Sequence, residues 1–579
     1  MLSQDENISM DTTTMSAQHT ATKAKDSVSP ADVSGANLND GETTIEDLPQ
    51  RQLNAFTMLI LLAAILGGLI FGLDIGTAAT MSNKYFRQEM GIPVLESGQK
   101  DSEETTNQIA QFTYIFHIAT LVGAPFAGYI TDRLGRKPVI IIAATIFLLG
   151  SLWQALAGLV KQSFAWESII IGRAIGGIGN GFILTMAPVY TAELAPAQWR
   201  GKSITFFQLA ITIGIFVMAI FNERMEEVVW GWRLGIALQC IPCALIILLT
   251  VTVLPESPRW LIKMGRAPEA ENALQRLAHG SENADKAVSY EMAQIRNEVE
   301  TEEQVGQGSF GELFQRENLP SFLCGAGVAF SQNVTGVNFF MSYATTLFNS
   351  LSLDPFTYDL ALKAINVLAT FIALPLIDRM GRKFLTIWGT FFTVVAFFLI
   401  GIVIVGTGVN VNTDEADDQT RSVQFFCVAM VFLFQVVFAC TLGPLGWVVP
   451  SEAYPLRLRG VGMAVSVSSN IFTNIVLGDV GYLAMYSATS LQAMMFICVG
   501  LNLAVTVPTV TLLQPETKGL SMEDLRKVFA YERGGNDAKG HGTMREYIAR
   551  NLKQSGQIIT CRSADTKMGF ERFRKTAHA

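Results

Sequence analysis

Twelve apolar stretches alternate with polar segments along the chain, and each is long enough to cross a lipid bilayer. A helix needs about 20 apolar residues to cross the hydrocarbon core, and only helices and closed barrels satisfy their backbone hydrogen bonds there. Stretches of this length indicate helices, so the pattern predicts an all-α polytopic membrane protein. The predicted spans, numbered 1 to 12 in chain order, are 55–80, 108–130, 138–159, 167–190, 203–222, 231–253, 321–346, 357–377, 384–407, 423–449, 461–484 and 491–513.

One polar segment, 254–320, is longer than the other connections and separates six spans from six. Its stretches EAENALQRLA and SYEMAQIRNEVETEEQ have amphipathic patterns that predict short helices. The first 50 residues are rich in Ser, Thr, Asp and Asn and lack the apolar region of a signal peptide, so we expect a disordered tail. The expected organisation is an N-terminal tail, a six-helix bundle, a helical linker, a second six-helix bundle and a C-terminal tail, at 1–54, 55–253, 254–320, 321–513 and 514–579.

The composition agrees with a membrane protein and argues against other classes. Half of the residues are hydrophobic and 16% are charged, against about a quarter charged in soluble globular proteins. The chain has no basic patch for nucleic acid and no nucleophile–base pair, phosphate loop or metal-ligand cluster, so we expect neither an enzyme nor a cofactor or metal. The CIPC at 240–243 lies inside an apolar stretch, which favours packing over redox chemistry.

Lysines and arginines are concentrated in the loops on one side of the predicted bundle. The loop between spans 2 and 3 carries DRLGRK, and the loop between spans 8 and 9 carries DRMGRK. Cytoplasmic loops carry the excess of positive charge in most membrane proteins. The pattern therefore predicts that both tails and the linker lie in the cytoplasm.

Three pairs of motifs recur in the same order in the two groups of six spans. GYITDRLGRKPV is repeated as LPLIDRMGRKFL, VYTAELAPAQWRGK as VVPSEAYPLRLRGV, and PESPR as PETKG, each about 250–260 residues later. Such repeats in register indicate a duplicated six-span unit. Parallel halves of this kind build transporters whose binding site lies at mid-membrane between the halves.

These motifs, together with GRAIGGIGNG at 172 and NVTGVN at 333, make the chain resemble a sugar porter of the major facilitator superfamily, most closely the fungal sugar transporters. The resemblance covers about residues 55–525. It implies two six-helix halves that move a sugar by alternating access, either passively or with a proton. It also implies a multi-pass protein of the plasma membrane, whose partners are the sugar, the proton and the bilayer, and a monomer is expected.

The DRxGRK loops and two E-x6-R elements bring carboxylates and guanidinium groups to the same ends of the spans. Such groups form bidentate bonds between neighbouring helix ends. We interpret them as a latch that is closed in one conformation and open in the other, while the alternative is a solvated loop that only obeys the charge rule. The candidate gating residues are Asp132, Arg136, Glu193, Arg200, Asp378, Arg382, Glu452 and Arg459.

Amide and aromatic side chains lie on the spans that should line a central cavity. Sugar hydroxyls donate and accept hydrogen bonds, and Asn and Gln do both, while the apolar face of a sugar stacks on Trp. For any single amide, packing between helices is the alternative, and it is the favoured interpretation for Asn474. The candidate sugar-binding residues, each matching the family pattern except that Asn333 stands where Gln is usual, are Gln208, Gln332, Asn333, Asn338, Asn366, Trp447 and Asn470.

Two departures from the family pattern leave the identity of the sugar open. Ile471 stands where the family usually has a Trp, and Ser342 stands where a Tyr is common. Lys363 lies one helical turn outward from Asn366. It either extends to the outer interface, as long cationic side chains do, or offers a charge to an acidic or larger substrate, with Asp479 as a possible partner.

Asp74, in GGLIFGLDIGT, is a charge at membrane depth, where insertion costs about 2.5–3.5 kcal/mol. Arg173 on span 4 is its candidate partner, and the glycines of GRAIGGIGNG leave room for a neighbouring helix. A desolvated carboxylate that loses its cation binds a proton more readily, so separating the pair would couple movement to proton uptake. The alternatives are a static buried pair and, for His117 on span 2, hydrogen-bonded packing or a proton relay.

The resemblance predicts a sugar:proton symporter, with a hexose or other monosaccharide as substrate. A passive sugar facilitator is the first alternative, and a disaccharide such as sucrose, a polyol or a sugar acid are alternative substrates. A sugar sensor that does not transport is a third possibility, although sensor-type relatives carry much longer cytoplasmic tails.

Overall fold

The structure is a computed structural model in which all regular secondary structure of the described residues is helical. The predicted tail 1–54 lies outside the described residues, as does most of 514–579. The structure describes residues 55–94, 103–159, 164–196, 200–279, 284–303, 310–338, 340–341, 348, 355–408, 418–455, 458–481, 491–518, 528–529 and 544–559.

The first six spans are present as predicted, and the sixth is interrupted. Spans 1 to 5 are the helices Ala55–Thr77, Glu103–Leu134, Arg136–Ala155, Ala165–Leu194 and Arg200–Arg224. Span 6 is divided by a turn at Gln239 into the helices Gly231–Leu238 and Cys240–Thr252. The connection after span 1 holds a 3-10 helix at Ala78–Ser82 and the helix Lys84–Met90.

The last six spans are less regular. Spans 7, 8 and 9 contain the helices Leu319–Val334, Pro355–Met380 and Arg382–Thr407, and span 10 contains Asp418–Cys440 and Leu442–Ala453. Span 11 is Arg459–Thr473 followed by a π-helix at Asn474–Gly481, and span 12 is Leu491–Leu501 followed by π-helices at Asn502–Thr506 and Thr509–Leu513.

Eleven of the twelve predicted spans are long and apolar enough to cross a membrane in the described part of the chain. The exception is span 7, whose 16-residue helix ends at a turn where Gly336 has φ 85°. The residues from 342 to 347 lie outside the described ones. Span 10 breaks at Thr441, three residues before Pro444. Proline has no N–H to donate and its ring clashes with the carbonyl four residues earlier, so the first helix cannot continue past Cys440, whereas proline is tolerated in the first turn of the second helix.

The described part of the linker contains three α-helices, and both of the amphipathic stretches predicted to be helical are among them. The helices are Pro258–Lys263, Ala267–Ala278 and Ala284–Glu303. A 3-10 helix at Phe310–Phe314 precedes span 7.

The glycines of span 4 allow close helix packing, and the helices that pack against them are spans 2 and 3. A Cβ atom on Gly177 would overlap the backbone carbonyl of Phe116 on span 2. A Cβ atom on Gly179 would lie 2.6 Å from the backbone nitrogen of Phe147 on span 3. A larger residue at Gly177 would push spans 2 and 4 apart, and these are the helices that position Arg173.

Spans 1–6 meet spans 7–12 along spans 2 and 11. A Cβ atom on Gly128 would lie 2.9 Å from the Cβ atom of Ala464 and 3.0 Å from the backbone oxygen of Gly460. Such short separations leave no passage between these two helices near the DRxGRK loop that follows span 2. The bundle is therefore closed between these helices at the end that carries the DRxGRK loops.

A helix at Met544–Ile559, within the predicted C-terminal tail, packs against the end of span 12. The side chains of Tyr547, Asn551 and Ser555 donate hydrogen bonds to backbone carbonyls of residues 511–513. These carbonyls close a π-helix, and the end of a helix leaves carbonyl groups that need donors. The charged composition of the tail did not predict this packing.

Candidate functional site

Asp74 and Arg173 form an ion pair in the interior of the first six spans. The Nη1 atom of Arg173 lies 2.5 Å from Oδ1 of Asp74, and each side chain is 2% exposed. Span 1 carries the aspartate one turn before its end at Thr77, and span 4 carries the arginine. The structure thus brings together the two residues that we expected to pair, in a charge-assisted hydrogen bond.

Span 2 holds the Arg173 side chain from the other side. Its Nε atom donates a hydrogen bond of 3.0 Å to the backbone carbonyl of Phe112. The centre of its guanidinium group lies 4.3 Å from the ring centroids of Phe112 and Phe116. Cation–π contacts of this kind stabilise a desolvated cation by about 2 kcal/mol. Arg173 therefore keeps part of its stabilisation if Asp74 loses its charge.

Four of the predicted sugar-binding amides form one hydrogen-bonded chain between spans 7 and 11, called the amide chain below. Asn338 donates to Oδ1 of Asn333 (2.8 Å), and Asn333 donates to the backbone carbonyl of Asn470 (2.6 Å). Asn470 donates to Oε1 of Gln332 over 2.7 Å. Gln332 in turn donates to the backbone carbonyl of Gly443 on span 10 over 2.6 Å.

Trp447 on span 10 lies beside the amide chain and is buried. Its ring meets that of Phe207 on span 5 edge to face, with the centroids 5.5 Å apart. The crevice between Trp447 and Asn470 is too narrow to hold a water molecule. In this arrangement the amides bond to one another, so the crevice must widen before a sugar can take their hydrogen bonds.

The remaining predicted sugar-site residues lie on spans 5 and 8. Gln208 is buried next to Phe207. Asn366 is also buried; its Nδ2 lies 3.7 Å from Sδ of Met341, and its Oδ1 has no hydrogen-bond partner among the described residues. A buried oxygen without a donor costs about 1–3 kcal/mol, so this position suits a ligand hydroxyl. Ile471, which replaces the family Trp, is fully buried, and 342–347 lie outside the described residues.

Lys363 is paired within its own helix. Its Nζ atom lies 2.6 Å from Oδ2 of Asp359, one turn earlier, and the two side chains are 6% and 10% exposed. The Lys363 side chain therefore points towards the start of span 8, where a carboxylate compensates its charge inside the protein, and its role stays a prediction. The side chain of Asp479, the partner considered from the sequence, lies outside the described residues.

His117 on span 2 forms a hydrogen bond to span 11. Its Nε2 atom lies 3.2 Å from Nδ2 of Asn474, and both side chains are buried. Asn474 also accepts a hydrogen bond of 2.6 Å from Asn338, a member of the amide chain. The sequence offered no signal for this contact, because the two residues are 357 positions apart.

In the first six spans, Glu193 and Arg136 form the main ion pair at the end that carries the DRxGRK loop. Arg136 donates from Nε over 3.0 Å and from Nη2 over 3.3 Å to the two oxygens of Glu193. Arg136 Nη1 also lies 3.8 Å from Asp132. Arg459 at the start of span 11 is close enough to attract the charge of Glu193, which links this pair to the second group of spans.

The last six spans repeat the arrangement. Arg382 Nη2 lies 3.1 Å from Glu452 Oε1. From their spacing, the sequence grouped Glu452 with Arg459. In the structure, the close partner of each E-x6-R glutamate is the arginine that follows the glycine of DRxGRK. The side chains of Arg200 and Asp378, the other two candidate gating residues, lie outside the described residues.

Two glutamates that sequence reasoning did not assign complete both clusters. Glu256 of PESPR accepts hydrogen bonds from the backbone N–H groups of Arg136 and Lys137, which begin span 3. Glu516 of PETKG does the same for the two residues that begin span 9. A carboxylate at a helix N-terminus satisfies free N–H groups and interacts well with the helix dipole. Burial nevertheless raises the pKa of Glu256, so it protonates at a higher pH than an exposed glutamate.

The same glutamates are followed by hydroxyl residues that bond to the E-x6-R carboxylates. Ser257 donates to Glu193 over 2.6 Å, and Thr517 donates to Glu452 over 2.7 Å. In the first cluster, Gly135 precedes Arg136 and has φ 94°, a backbone conformation that favours glycine. A signal for these roles was available, because P-E-S/T is one of the three repeated motifs.

Replacing Glu193 with Gln is expected to loosen the closure between spans 2 and 11, because the buried Arg136 loses its carboxylate. Breaking a buried ion pair costs about 3–5 kcal/mol, and part of that cost is relieved when the cluster opens. The measurement uses Ala464→Cys in a background without other cysteines. A membrane-impermeant thiol reagent should label this introduced thiol at least about tenfold faster with Glu193→Gln than without it.

Glu269→Gln is the matched control for this prediction. Glu269 pairs with Arg266 over 2.6 Å on the linker, but the two side chains are 54% and 49% exposed. Exposed pairs contribute less than about 1 kcal/mol, so labelling of the thiol introduced by Ala464→Cys should not change. Equal labelling rates in Glu193→Gln and in the parent would show that this pair does not hold the closure.

Comparison with known proteins gives consistent results. Residues 60–529 match the sequence profile of the family described as "Sugar (and other) transporter". "Sugar transport protein 10" of Arabidopsis thaliana is 31% identical over 489 residues, covering 82% of this chain and 91% of that protein. "Hexose transporter HXT10" of Saccharomyces cerevisiae is 28% identical over 530 residues, covering 88% of this chain and 92% of that protein.

A solved structure agrees in fold. The proton:xylose symporter XylE, bound to 6-bromo-6-deoxy-D-glucose, superimposes with a TM-score of 0.68 at 25% sequence identity. The superposition covers 82% of this chain and 99% of that one. The similarity therefore extends over both groups of six spans.

Proposed function

This chain belongs to the sugar porter family of the major facilitator superfamily, and on that premise we propose that it carries a monosaccharide across the membrane together with a proton. It is a multi-pass membrane protein that transports sugar by alternating access. The observation that carries the proton part of the proposal is the buried pair of Asp74 and Arg173. Three relatives named above are a sugar transport protein, a hexose transporter and a proton:xylose symporter.

The sugar is proposed to bind between spans 5, 7, 8, 10 and 11. The amide chain offers both donors and acceptors, and Trp447 offers an apolar face next to it. Gln208 and Asn366 complete the proposed site. When the crevice widens, sugar hydroxyls replace the bonds that the amides now make to one another, so little hydrogen bonding is lost in either state.

The proton is proposed to bind Asp74 when the pair with Arg173 opens. In the closed pair the carboxylate is stabilised by the guanidinium group, whereas a desolvated carboxylate alone favours the protonated form. Arg173 remains held by Phe112 and Phe116. A movement of span 1 against span 4 would therefore switch Asp74 between a form paired with Arg173 and a protonated form.

The two ion-pair clusters are proposed to act as the cytoplasmic latch, made up of Asp132, Arg136, Glu193, Arg200, Asp378, Arg382, Glu452 and Arg459. On this view residues 55–253 and 321–513 are the two moving bundles, and 254–320 is the cytoplasmic linker between them. The positive charge of the DRxGRK loops supports cytoplasmic termini. Family resemblance supports the plasma membrane and a monomer.

A passive sugar carrier is the alternative if the pair of Asp74 and Arg173 stays closed throughout the cycle. A sugar acid as substrate has less support from the structure than from the sequence, because Asp359 compensates the charge of Lys363. Transport chemistry, and not enzymatic turnover, is what the relatives named above have in common.

The test is uptake of labelled sugars into vesicles with and without an imposed inward proton gradient. We expect the gradient to drive accumulation and a protonophore to abolish it. Competition by glucose, fructose, xylose, sucrose and galacturonate identifies the substrate class, and we expect a monosaccharide to compete best. Uptake that never exceeds equilibrium and ignores the gradient would identify a passive carrier.

A further inference from the structure

His117 and Asn474 connect the ion pair on spans 1 and 4 to the amide chain on spans 7 and 11. We propose that His117 is a positioning residue that couples the protonation state of Asp74 to sugar affinity, through its hydrogen bond to Asn474. This inference rests on the proposed proton symport. It adds a route between two sites that lie in different halves of the molecule.

The first part of the route is span 2, which holds both Arg173 and His117. Arg173 donates to the carbonyl of Phe112 and lies over the ring of Phe116, the residue before His117. His117 is also close enough to Asp74 to interact with its charge. When Asp74 takes up a proton and releases Arg173, the turn of span 2 that carries His117 is therefore the first backbone to respond.

The second part of the route is the pair of amides on spans 7 and 11. Asn338 uses one amide hydrogen for Asn474 Oδ1, over 2.6 Å, and the other for Asn333 Oδ1, over 2.8 Å. Asn333 continues to the backbone of Asn470. Any rotation of the Asn474 amide is thus transmitted to members of the amide chain.

The hydrogen bonds of Asn474 define which of its atoms faces His117. Because Oδ1 of Asn474 is occupied by Asn338, its Nδ2 is the group that faces His117 Nε2. An amide nitrogen donates, so Nε2 of His117 is the acceptor of this hydrogen bond. A change of orientation at His117 would turn this amide over and break its bond with Asn338.

Two further observations concern the surroundings of Asn474. It begins the eight-residue π-helix of span 11, and such segments frequently occur at functional sites. A Cβ atom on Gly478 would overlap Asn474 Oδ1, so this amide has little space around it. Asp74 on span 1 is close enough to His117 for a charge interaction, and Arg173 on span 4 lies over the neighbouring Phe116; span 3 presents Phe147 to Phe116.

The test compares the sugar affinity of purified protein at acidic and at alkaline pH. The probe is labelled glucose, replaced by the panel sugar with the fastest uptake if glucose is not transported. Coupling between two sites typically changes an affinity by about 5- to 150-fold. We expect the ratio of the parent's sugar affinities at the two pH values, called the pH ratio below, to lie in this range. His117→Leu and Asn474→Leu should each reduce the ratio below about threefold.

His117→Gln is the conservative variant, because its side-chain oxygen accepts the same hydrogen bond from Asn474. We expect it to keep most of the pH ratio, which a merely structural role would not require. Ile118→Ala is the control on the same helix, since Ile118 is exposed on the outside of the bundle. It should behave like the parent.

The outcomes separate this inference from the proposed function. If the parent shows a pH ratio that Asp74→Asn abolishes but His117→Leu and Asn474→Leu retain, proton symport stands and the coupling role of His117 is wrong. A His117→Gln variant as defective as His117→Leu would also overturn it. If the parent shows no pH ratio, both the symport proposal and this inference fail.

Discussion

Replacing Asp74 with Asn is expected to abolish uphill sugar accumulation while leaving sugar-for-sugar exchange intact. Asn keeps an oxygen that can accept a hydrogen bond from Arg173, but it cannot bind and release a proton. If one proton moves with each sugar, a gradient of one pH unit supports about tenfold accumulation. The variant should instead equilibrate at a ratio of about one. Labelled-sugar uptake and exchange in vesicles with an imposed pH gradient measure both quantities.

Glu89→Gln is the matched control for this substitution. Glu89 pairs with Arg233 over 2.5 Å, the same distance as in the Asp74 pair, but its side chain is 29% exposed. Removing this carboxylate should leave accumulation unchanged, because Glu89 lies in the connection after span 1 and not inside a membrane span. Continued accumulation by Asp74→Asn would show that another group carries the proton.

The second large effect is expected from Gln332→Leu, which removes three hydrogen bonds, one to Asn470 and two to the backbone carbonyls of Leu442 and Gly443. Gln332 donates to the carbonyl of Gly443 and accepts from Asn470, and a Cβ atom on Gly446 would lie 2.5 Å from its side chain. An unsatisfied buried polar group costs about 1–3 kcal/mol, equivalent to roughly 5- to 150-fold in affinity. We expect sugar affinity to fall by this factor.

Gln154→Leu is the same substitution outside the proposed site. Gln154 is buried on span 3, where it donates to the carbonyl of Gly150. It should alter the melting temperature of the purified protein more than its sugar affinity. If Gln332→Leu binds and transports sugar like the parent, the amide chain is a packing device and not the sugar site.

Hydrophobic periodicity predicted most of the fold, because membrane spans have an unmistakable length and composition. Eleven spans and the two amphipathic linker helices are present in the described part of the chain. The irregular points were harder. The break at Thr441 lies three residues before Pro444, which has no N–H for a continuing helix. The π-helix that begins at Asn474 has no such local pattern.

Site residues were predictable as types and less so as partners. Asp74 and Arg173 could be paired in advance, because they were conspicuous charges in apolar stretches. Arg136 could not be assigned to Glu193, since several candidate arginines lie at the same end of the bundle. Lys363 was given a distant candidate partner, whereas its own helix supplies Asp359 one turn away.

Roles that depend on backbone groups were almost entirely missed by prediction from the sequence. Glu256 and Glu516 accept hydrogen bonds from the N–H groups that begin spans 3 and 9, and the repeat of PES and PET was the available signal. The contact between His117 and Asn474 had none, because each residue lies in an apolar helix with no motif around it.

The most direct test of proton-coupled sugar transport is the movement of protons when sugar is added to the unmodified protein. Vesicles in the native orientation are loaded with a pH-sensitive dye, and no pH gradient is imposed. We expect external sugar to acidify the interior and a protonophore to abolish the signal. Normal entry of labelled sugar without any change in internal pH would contradict it.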